Sequence, residues 1–223
     1  MNLNFSYRIF TSIFLLAILF TCLFTNKYLW LSLVILASII SLYEFNNLIV
    51  KIFKKNKKKL YLINLVTFFY LIIFIFLSYN FYNNAKFDLI FVFLICIFSD
   101  SGGYVIGNLI GGKKLTKISP NKTVSGSVGS FLFSLIPILI FYFLNNQINN
   151  LTLYQNNLTI LFLTCLFLSL TCQLGDLFIS YFKRKAKVKD TGKILPGHGG
   201  LLDRIDGLIF VLPMAFLLQK IYF

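Results

Sequence analysis

Seven apolar runs divide the chain, near residues 9–25, 28–49, 60–79, 88–110, 124–143, 158–180 and 201–221. Each is long enough to cross a bilayer as a helix, which takes roughly 20 mostly apolar residues. Asn26 and Lys27 leave room only for a tight turn between the first two. The first run, "IFTSIFLLAILFTCLF", has the look of a signal peptide, but only Arg8 precedes it and no A-x-A-like cleavage site follows, so it is read as a retained span. No repeat of fixed period and no linker divides the chain. The expected fold is all-α: a polytopic integral membrane protein of about seven transmembrane helices (roughly 6–9 by span length).

Composition agrees with the pattern. Hydrophobic residues make up 58% of the chain, 27 residues are Phe, and the mean hydropathy is +0.82. The polar residues are too few to cover a soluble domain of this size. The four cysteines, Cys22, Cys96, Cys165 and Cys172, lie inside apolar runs with no C-x-x-C pair, and read as small buried hydrophobes.

A net charge of +14 in a soluble protein would suggest nucleic acid. Here location decides against it. Sixteen Lys and Arg fall in the loops near 51–59, 111–123 and 181–200, whereas the loops between them hold only Lys27 and Lys86. The positive-inside rule places the basic loops and the N-terminus in the cytoplasm and the C-terminus outside. "KIFKKNKKK", with no acid, aromatic or glycine in it, is a topology anchor drawn to anionic lipid.

The acids are the rarest signal. Of seven in the chain, four (Asp176, Asp190, Asp203 and Asp206) lie between residues 176 and 206, together with seven Lys and Arg and the single histidine, His198. A charge at mid-bilayer costs on the order of 2.5–3.5 kcal/mol on insertion scales, so one that persists is a functional hypothesis by default. Asp100 closes an apolar run, Asp176 lies within one, and Asp203 and Asp206 begin the last. On a helix, residues three apart share a face with Cβ atoms about 5–6 Å apart, and two anions so close call for a cation. Magnesium takes one or two carboxylates plus substrate phosphates. A metal–phosphate site built on Asp176, Asp203 and Asp206 is the leading reading, with Lys183, Arg184, Lys185, Lys187 and Lys189 to neutralise a polyphosphate. Asp190 has an ordinary explanation in its neighbour Lys189.

"PGHGG" (Pro196 to Gly200) offers a tight backbone whose N–H groups can approach a phosphate. Without a second His or Cys nearby, His198 is no zinc ligand; it either bonds a phosphate or shapes the loop. "GNLIGGKK" (Gly107 to Lys114) nearly fits a P-loop, but Lys114 stands where Ser or Thr must meet magnesium, and the segment follows an apolar span rather than a strand. In "SPNKTVSGSVGS" (Ser119 to Ser130), Pro120 stops the helix before it and Gly126 and Gly129 suit close packing of neighbouring spans; the segment reads either as a capped helix start or, in addition, as a source of phosphate contacts from Lys122 and Thr123.

Ser180, Lys183, Arg184, Lys189, Asp190, Gly192, Leu195, Pro196, His198, Gly199, Gly200, Asp203, Arg204 and Asp206 stand at every position of a pattern that resembles the C-terminal signature of the phosphatidate cytidylyltransferase (CDP-diacylglycerol synthase) family. "SDSGGYVIGNLIGGKKLTKISPNKT", with Asp100, Tyr104, Gly107 and the SPxKT run, is similar to the family's second region. The chain departs from that region at Ser125, where an acid is usual, and at Asn108, where Arg or Lys is common. The resemblance implies N-terminal transmembrane helices over 1–86 and a catalytic transmembrane region over 87–223. It also implies transfer of CMP from CTP to phosphatidate in the cell membrane of a bacterium, with magnesium as cofactor and CTP, phosphatidate and membrane lipid as partners; a homodimer would fit. Asp176 and Asp203 would hold the metal, supported by Asp206 and Asp100. Lys183, Arg184, Lys189 and Arg204 would bind triphosphate and leaving pyrophosphate. Ser119, Lys122 and Thr123 would contact CTP or the lipid phosphate, with Asp190 and His198 also on the substrate side. The rival readings are a CTP-dependent enzyme acting on another lipid phosphate and, from a different class, an anion transporter.

Overall fold

A computed structural model describes residues 3–144, 150–153, 157–195 and 199–222. Among them the chain forms eight α-helices: α1 (Leu3–Thr25), α2 (Lys27–Ile52), α3 (Lys57–Asn84), α4 (Lys86–Ile110), α5 (Val124–Phe133), α6 (Ile136–Phe143), α7 (Leu158–Lys185) and α8 (Leu202–Tyr222). Five stretches are long and apolar enough to cross a membrane: α2, α3, α4, the pair α5–α6 taken together, and α7. The apolar part of α1 is shorter, Ile13–Thr25. α8 carries Asp203, Arg204, Asp206 and Lys220 and is not among the five. The all-α polytopic expectation holds, and the helix boundaries fall within a few residues of the apolar runs.

One run is not a single helix. The apolar stretch 124–143 breaks between Phe133 and Ile136, where Pro137 opens α6. Proline has no N–H to return to the preceding turn, and its ring collides with the carbonyl four residues back. Ser134 relieves the break by donating its hydroxyl to the Phe131 carbonyl at 2.7 Å.

The chain folds as two compact units, Met1–Tyr79 with Phe182–Ile205, and Asn80–Tyr181 with Asp206–Phe223. In the first, Trp30, Val34, Phe45, Leu48 and Ile49 of α2 are buried, and the Trp30 indole donates to Ser78 Oγ of α3 at 3.1 Å. Phe182 at the end of α7 meets Phe45 edge-on, ring centroids 5.2 Å apart. Much of α3 stays uncovered: Tyr61, Leu62, Val66, Phe69 and Phe76 are all exposed. A face of large apolar side chains left open on a helix of this length suits lipid, not water.

The second unit has the larger core. Leu89, Phe91, Val92 and Ile95 of α4 pack out of reach of solvent, as do Leu161, Cys165 and Leu168 of α7 and Val211, Leu212 and Ala215 of α8. α4 and α5 lie almost in backbone contact. A Cβ on Gly129 would fall 2.6 Å from the Gly102 carbonyl, and one on Gly126 2.8 Å from that of Gly103. Small residues let helix backbones approach this closely. Buried polar groups find partners across the same helices: Ser99 Oγ of α4 lies 2.9 Å from Ser169 Oγ of α7, and Ser127 Oγ of α5 donates to Gln173 Oε1 at 2.6 Å. Asp88, fully buried near the start of α4, accepts from the backbone N–H of Thr152 at 3.0 Å and from its hydroxyl. Gln219 of α8 donates to the same Thr152 hydroxyl at 2.7 Å.

Candidate active site

The residues singled out in the sequence fall in both units. In Asn80–Tyr181 with Asp206–Phe223, the segment between α4 and α5 is built to present Lys122. α4 ends where Gly111 and Gly112 take φ of 63° and 103°, a conformation that costs glycine nothing. These glycines terminate a helix instead of following a strand. The chain then doubles back: the Leu115 N–H donates to the Lys122 carbonyl at 2.8 Å, and the Val124 N–H to that of Lys113 at 2.9 Å. Thr123 caps α5 as expected, its Oγ1 accepting from the Gly126 N–H at 3.0 Å, which satisfies one of the open donors of the first turn. Ser125 donates its hydroxyl to the Gly111 carbonyl and lies 3.0 Å from Thr123 Oγ1. A carboxylate, the usual group here in the resembling family, is acceptor-only and could not make that bond. The Ser119 N–H donates to Thr116 Oγ1 at 3.2 Å, and its carbonyl accepts from the Lys122 N–H at 3.1 Å.

Lys122 is thereby held so that its Nζ lies 2.5 Å from Oδ2 of Asp176 on α7. The other oxygen of Asp176 accepts from Ser180 Oγ, one turn on, at 3.1 Å. Asp100 on α4 is exposed, with Cys172 Sγ of α7 3.8 Å from its Oδ1. α7 and α8 approach closest at two glycines. A Cβ on Gly175 would fall 2.9 Å from the Asp206 carbonyl, and one on Gly207 would collide with Cys172. That contact sets the α8 backbone at Asp206 against the turn of α7 that carries Asp176. Asp206 is itself buried, its Oδ1 accepting from the Gly207 N–H at 2.9 Å.

In Met1–Tyr79 with Phe182–Ile205, the centre is Asp203. Its Oδ1 receives Lys183 Nζ at 2.7 Å. Its Oδ2 accepts from the Thr191 N–H at 2.8 Å, Thr191 Oγ1 at 3.0 Å and the Gly200 N–H at 3.2 Å. A carboxylate in the first turn of a helix, reaching back to N–H groups just before it, is a capping arrangement and also favourable to the helix dipole. Lys183 is positioned by the end of α7. There Lys187 takes φ of 56°, and the Val188 N–H returns to the Lys183 carbonyl at 3.0 Å. Arg184, Lys189, Asp190 and Arg204 are exposed. Pro196 and His198 lie outside the described residues. Around them the chain closes on itself, with Leu195 and Gly199 exchanging backbone bonds of 3.0 and 3.1 Å.

Glu44 of α2 escaped the sequence reading and is the most fully buried acid of this unit, at 1% exposure. Its Oε1 accepts from the Leu201 N–H at 3.1 Å, and its Oε2 from the Leu202 N–H at 2.9 Å and Thr191 Oγ1 at 2.9 Å. The signal was present: a lone acid inside the apolar run "SLYEFNNLIV" is the same anomaly that marked Asp176. Thr191, reached by both Glu44 and Asp203, carried no signal of its own.

Carboxylate oxygens are the hard donors magnesium prefers, and it commonly takes one or two of them, leaving the rest of its shell to water and substrate phosphates. The chemistry of Asp176, Asp203 and Asp206 fits that habit. Among the described residues, no group of three or more His, Cys, Asp or Glu side chains is placed to hold an ion.

Comparison with known proteins bears on the same residues. The profile of the Cytidylyltransferase family matches residues 47–222. The chain is 44% identical over 132 residues to a phosphatidate cytidylyltransferase of Staphylococcus haemolyticus, covering 58% of this chain and 48% of that protein. A Staphylococcus aureus protein of the same name is 46% identical over the same shares. One from Rickettsia bellii is 44% identical over 151 residues, 66% of this chain and 63% of its own length. The chain thus spans about half the length of the staphylococcal relatives it matches. With the family profile running from the end of α2 through the Lys122–Asp176 and Lys183–Asp203 pairs to the end of α8, the chain belongs to the cytidylyltransferase family.

Proposed function

We propose that this chain catalyses transfer of CMP from CTP to phosphatidate, giving CDP-diacylglycerol and pyrophosphate, at the cytoplasmic face of a bacterial cell membrane. The observation that carries the reading is the pairing of carboxylates with lysine ammonium groups, Lys122 of the SPxKT run with Asp176 of α7 and Lys183 with Asp203 of the C-terminal signature. It is supported by the names of the relatives. In the reaction a phosphate oxygen of phosphatidate attacks the α-phosphorus of CTP. A new P–O bond forms as the bond to the bridging oxygen breaks, and the electron pair leaves with pyrophosphate. The lipid phosphate is itself the nucleophile, so the protein's task is positioning and charge neutralisation.

Each lysine suits that task. A carboxylate orients its ammonium, and the ammonium retains further N–H donors for phosphate oxygens. Arg184, Lys189 and Arg204, exposed as they are, are proposed to hold the β- and γ-phosphates and then the departing pyrophosphate. Thr123 and Ser119 set the backbone on which Lys122 is presented. Magnesium would supply Lewis-acid stabilisation of the charge on the phosphates, with carboxylates of the charged stretch, Asp176 and Asp206 among them, as its protein ligands. The basic loops and the N-terminus are proposed to face the cytosol, where CTP is dissolved, while the lipid enters from the bilayer.

The test is conversion of labelled CTP and phosphatidate to CDP-diacylglycerol by detergent-purified protein, with and without EDTA, and beside Asp176→Asn and Asp203→Asn. Product from the native chain, abolished by EDTA, restored by magnesium and lost in both variants, supports the reading. A folded native protein that makes no product from phosphatidate overturns it.

A further inference from the structure

The buried carboxylate of Glu44 has no part in the chemistry just described, yet it is tied to residues that do. We propose that Glu44 is a positioning residue for the reaction, acting through Thr191 and the start of α8 to hold Asp203 against Lys183. The inference rests on the proposed function only for what Asp203 and Lys183 do, not for how they are held.

The geometry is specific. Three donors converge on Glu44, and all come from the strap formed by residues 191–195 and 199–202: the Thr191 hydroxyl and the N–H groups of Leu201 and Leu202. The last two are donors at a helix start, which have no intrahelical partner and otherwise need a cap. The sequence just before α8, "GHGGL", supplies no Ser, Thr, Asn or Asp to cap it. Glu44 performs that function from a distant helix. The strap also lies against the carboxylate without spare room, since a Cβ on Gly192 or Gly200 would collide with Glu44. A side chain at either position would force Glu44 or the strap to shift.

Thr191 is the link to the reacting groups. Its hydroxyl lies 2.9 Å from Glu44 Oε2 and 3.0 Å from Asp203 Oδ2, and its own N–H donates to the same Asp203 oxygen at 2.8 Å. With both groups of Thr191 on one side of Asp203, the other oxygen is turned to Lys183 at 2.7 Å. A hydroxyl carries one proton, so the bond it makes to one carboxylate is coupled to the bond it makes to the other. Residues in one such network show non-additive effects when substituted together.

The test combines a double-mutant cycle with amide exchange, in the full chain in detergent. Glu44→Gln keeps the size of the side chain but replaces one acceptor oxygen with a donor. Thr191→Val keeps the shape but removes the hydroxyl, and Thr191→Ser restores it. Each of the first two is expected to lower kcat/KM per folded molecule roughly tenfold. Thr191→Ser should stay within about twofold of native, and the double variant should fall no more than about twofold below the worse single one. In Glu44→Gln, exchange at the Leu201 and Leu202 amides should quicken at least tenfold while the core of α2 keeps its protection. Single effects that multiply in the double variant, or Thr191→Val at native rate, overturn the proposal. If the native chain makes no product from phosphatidate, the proposed function fails on its own. The exchange arm then decides: protection lost at Leu201 and Leu202 upholds Glu44 as the residue that orders the strap, and unchanged protection overturns it.

Discussion

Lys122 and Asp176 meet at 2.5 Å, bringing the loop before α5 onto the C-terminal third of the long helix α7. Their side chains retain 28% and 29% exposure, so the pair is open enough for solvent or a ligand to compete for either partner. Half-open pairs of this kind add only about 0–1 kcal/mol to stability. Lys122→Met is therefore expected to leave the thermal midpoint in detergent nearly unchanged while lowering kcat/KM for CTP by roughly 100-fold, the size of effect seen when one charge-stabilising donor is removed. Parallel melting curves and initial rates check it. A midpoint drop with full residual activity would make the pair merely structural.

Lys183 and Asp203 are more enclosed, at 13% and 8% side-chain exposure. Removing one partner of a buried pair strands the other, at a cost of about 3–5 kcal/mol. Asp203→Asn loses the charge opposite Lys183 but keeps one oxygen for the N–H groups of Thr191 and Gly200. Lys183→Met leaves the Asp203 charge with neutral donors only. Both variants should melt at lower temperature than native, in contrast to Lys122→Met, and chemical-denaturant midpoints would rank them.

The α4–α5 seam predicts a packing defect. Gly129→Ala places a methyl 2.6 Å from the Gly102 carbonyl, which is backbone and cannot swing aside. Overpacking of this sort costs about 1–3 kcal/mol. The variant should show a lower thermal midpoint and reduced yield of folded protein, whereas Ser127→Ala, which removes a hydroxyl and adds nothing, should be milder.

Asp88 predicts a stability effect separate from the proposed chemistry. Fully buried, it accepts the backbone N–H of Thr152, and Gln219 completes the cluster. Asp88→Ala leaves those donors unsatisfied at about 1–3 kcal/mol. Activity per folded molecule should remain native, measured after removal of aggregated protein.

Orientation is tested by labelling. In a cysteine-free background, Asn56→Cys lies in the basic turn before α3 and Asn84→Cys at the other end of that helix. A helix of this length is roughly 42 Å long, at 1.5 Å per residue, which suffices to cross. An impermeant maleimide applied to intact cells should label position 84 and spare position 56. The reverse pattern would invert the proposed topology.

Hydropathy alone located the helices, because crossing a bilayer demands a length of apolar sequence that is local and countable. The rarity of acids in the same sequence located Asp176, Asp203 and Asp206, since each stands out against its surroundings. Even the break before α6 was legible in Pro137, though the apolar run through it was read as one span. What the sequence could not supply was partnership. Lys122 was a candidate phosphate contact with no named partner until the glycines at 111 and 112 turned the chain back and aimed it at Asp176. Glu44 and Thr191 stand far apart in the chain and share no pattern. They meet because the left-handed turns at Lys187 and Gly199 shape the segment between α7 and α8 and return it to α2. Composition and spacing are properties of neighbours along the chain. Which buried carboxylate receives which donor depends on where loops reverse and which way side chains leave their helices, and only the folded chain decides that.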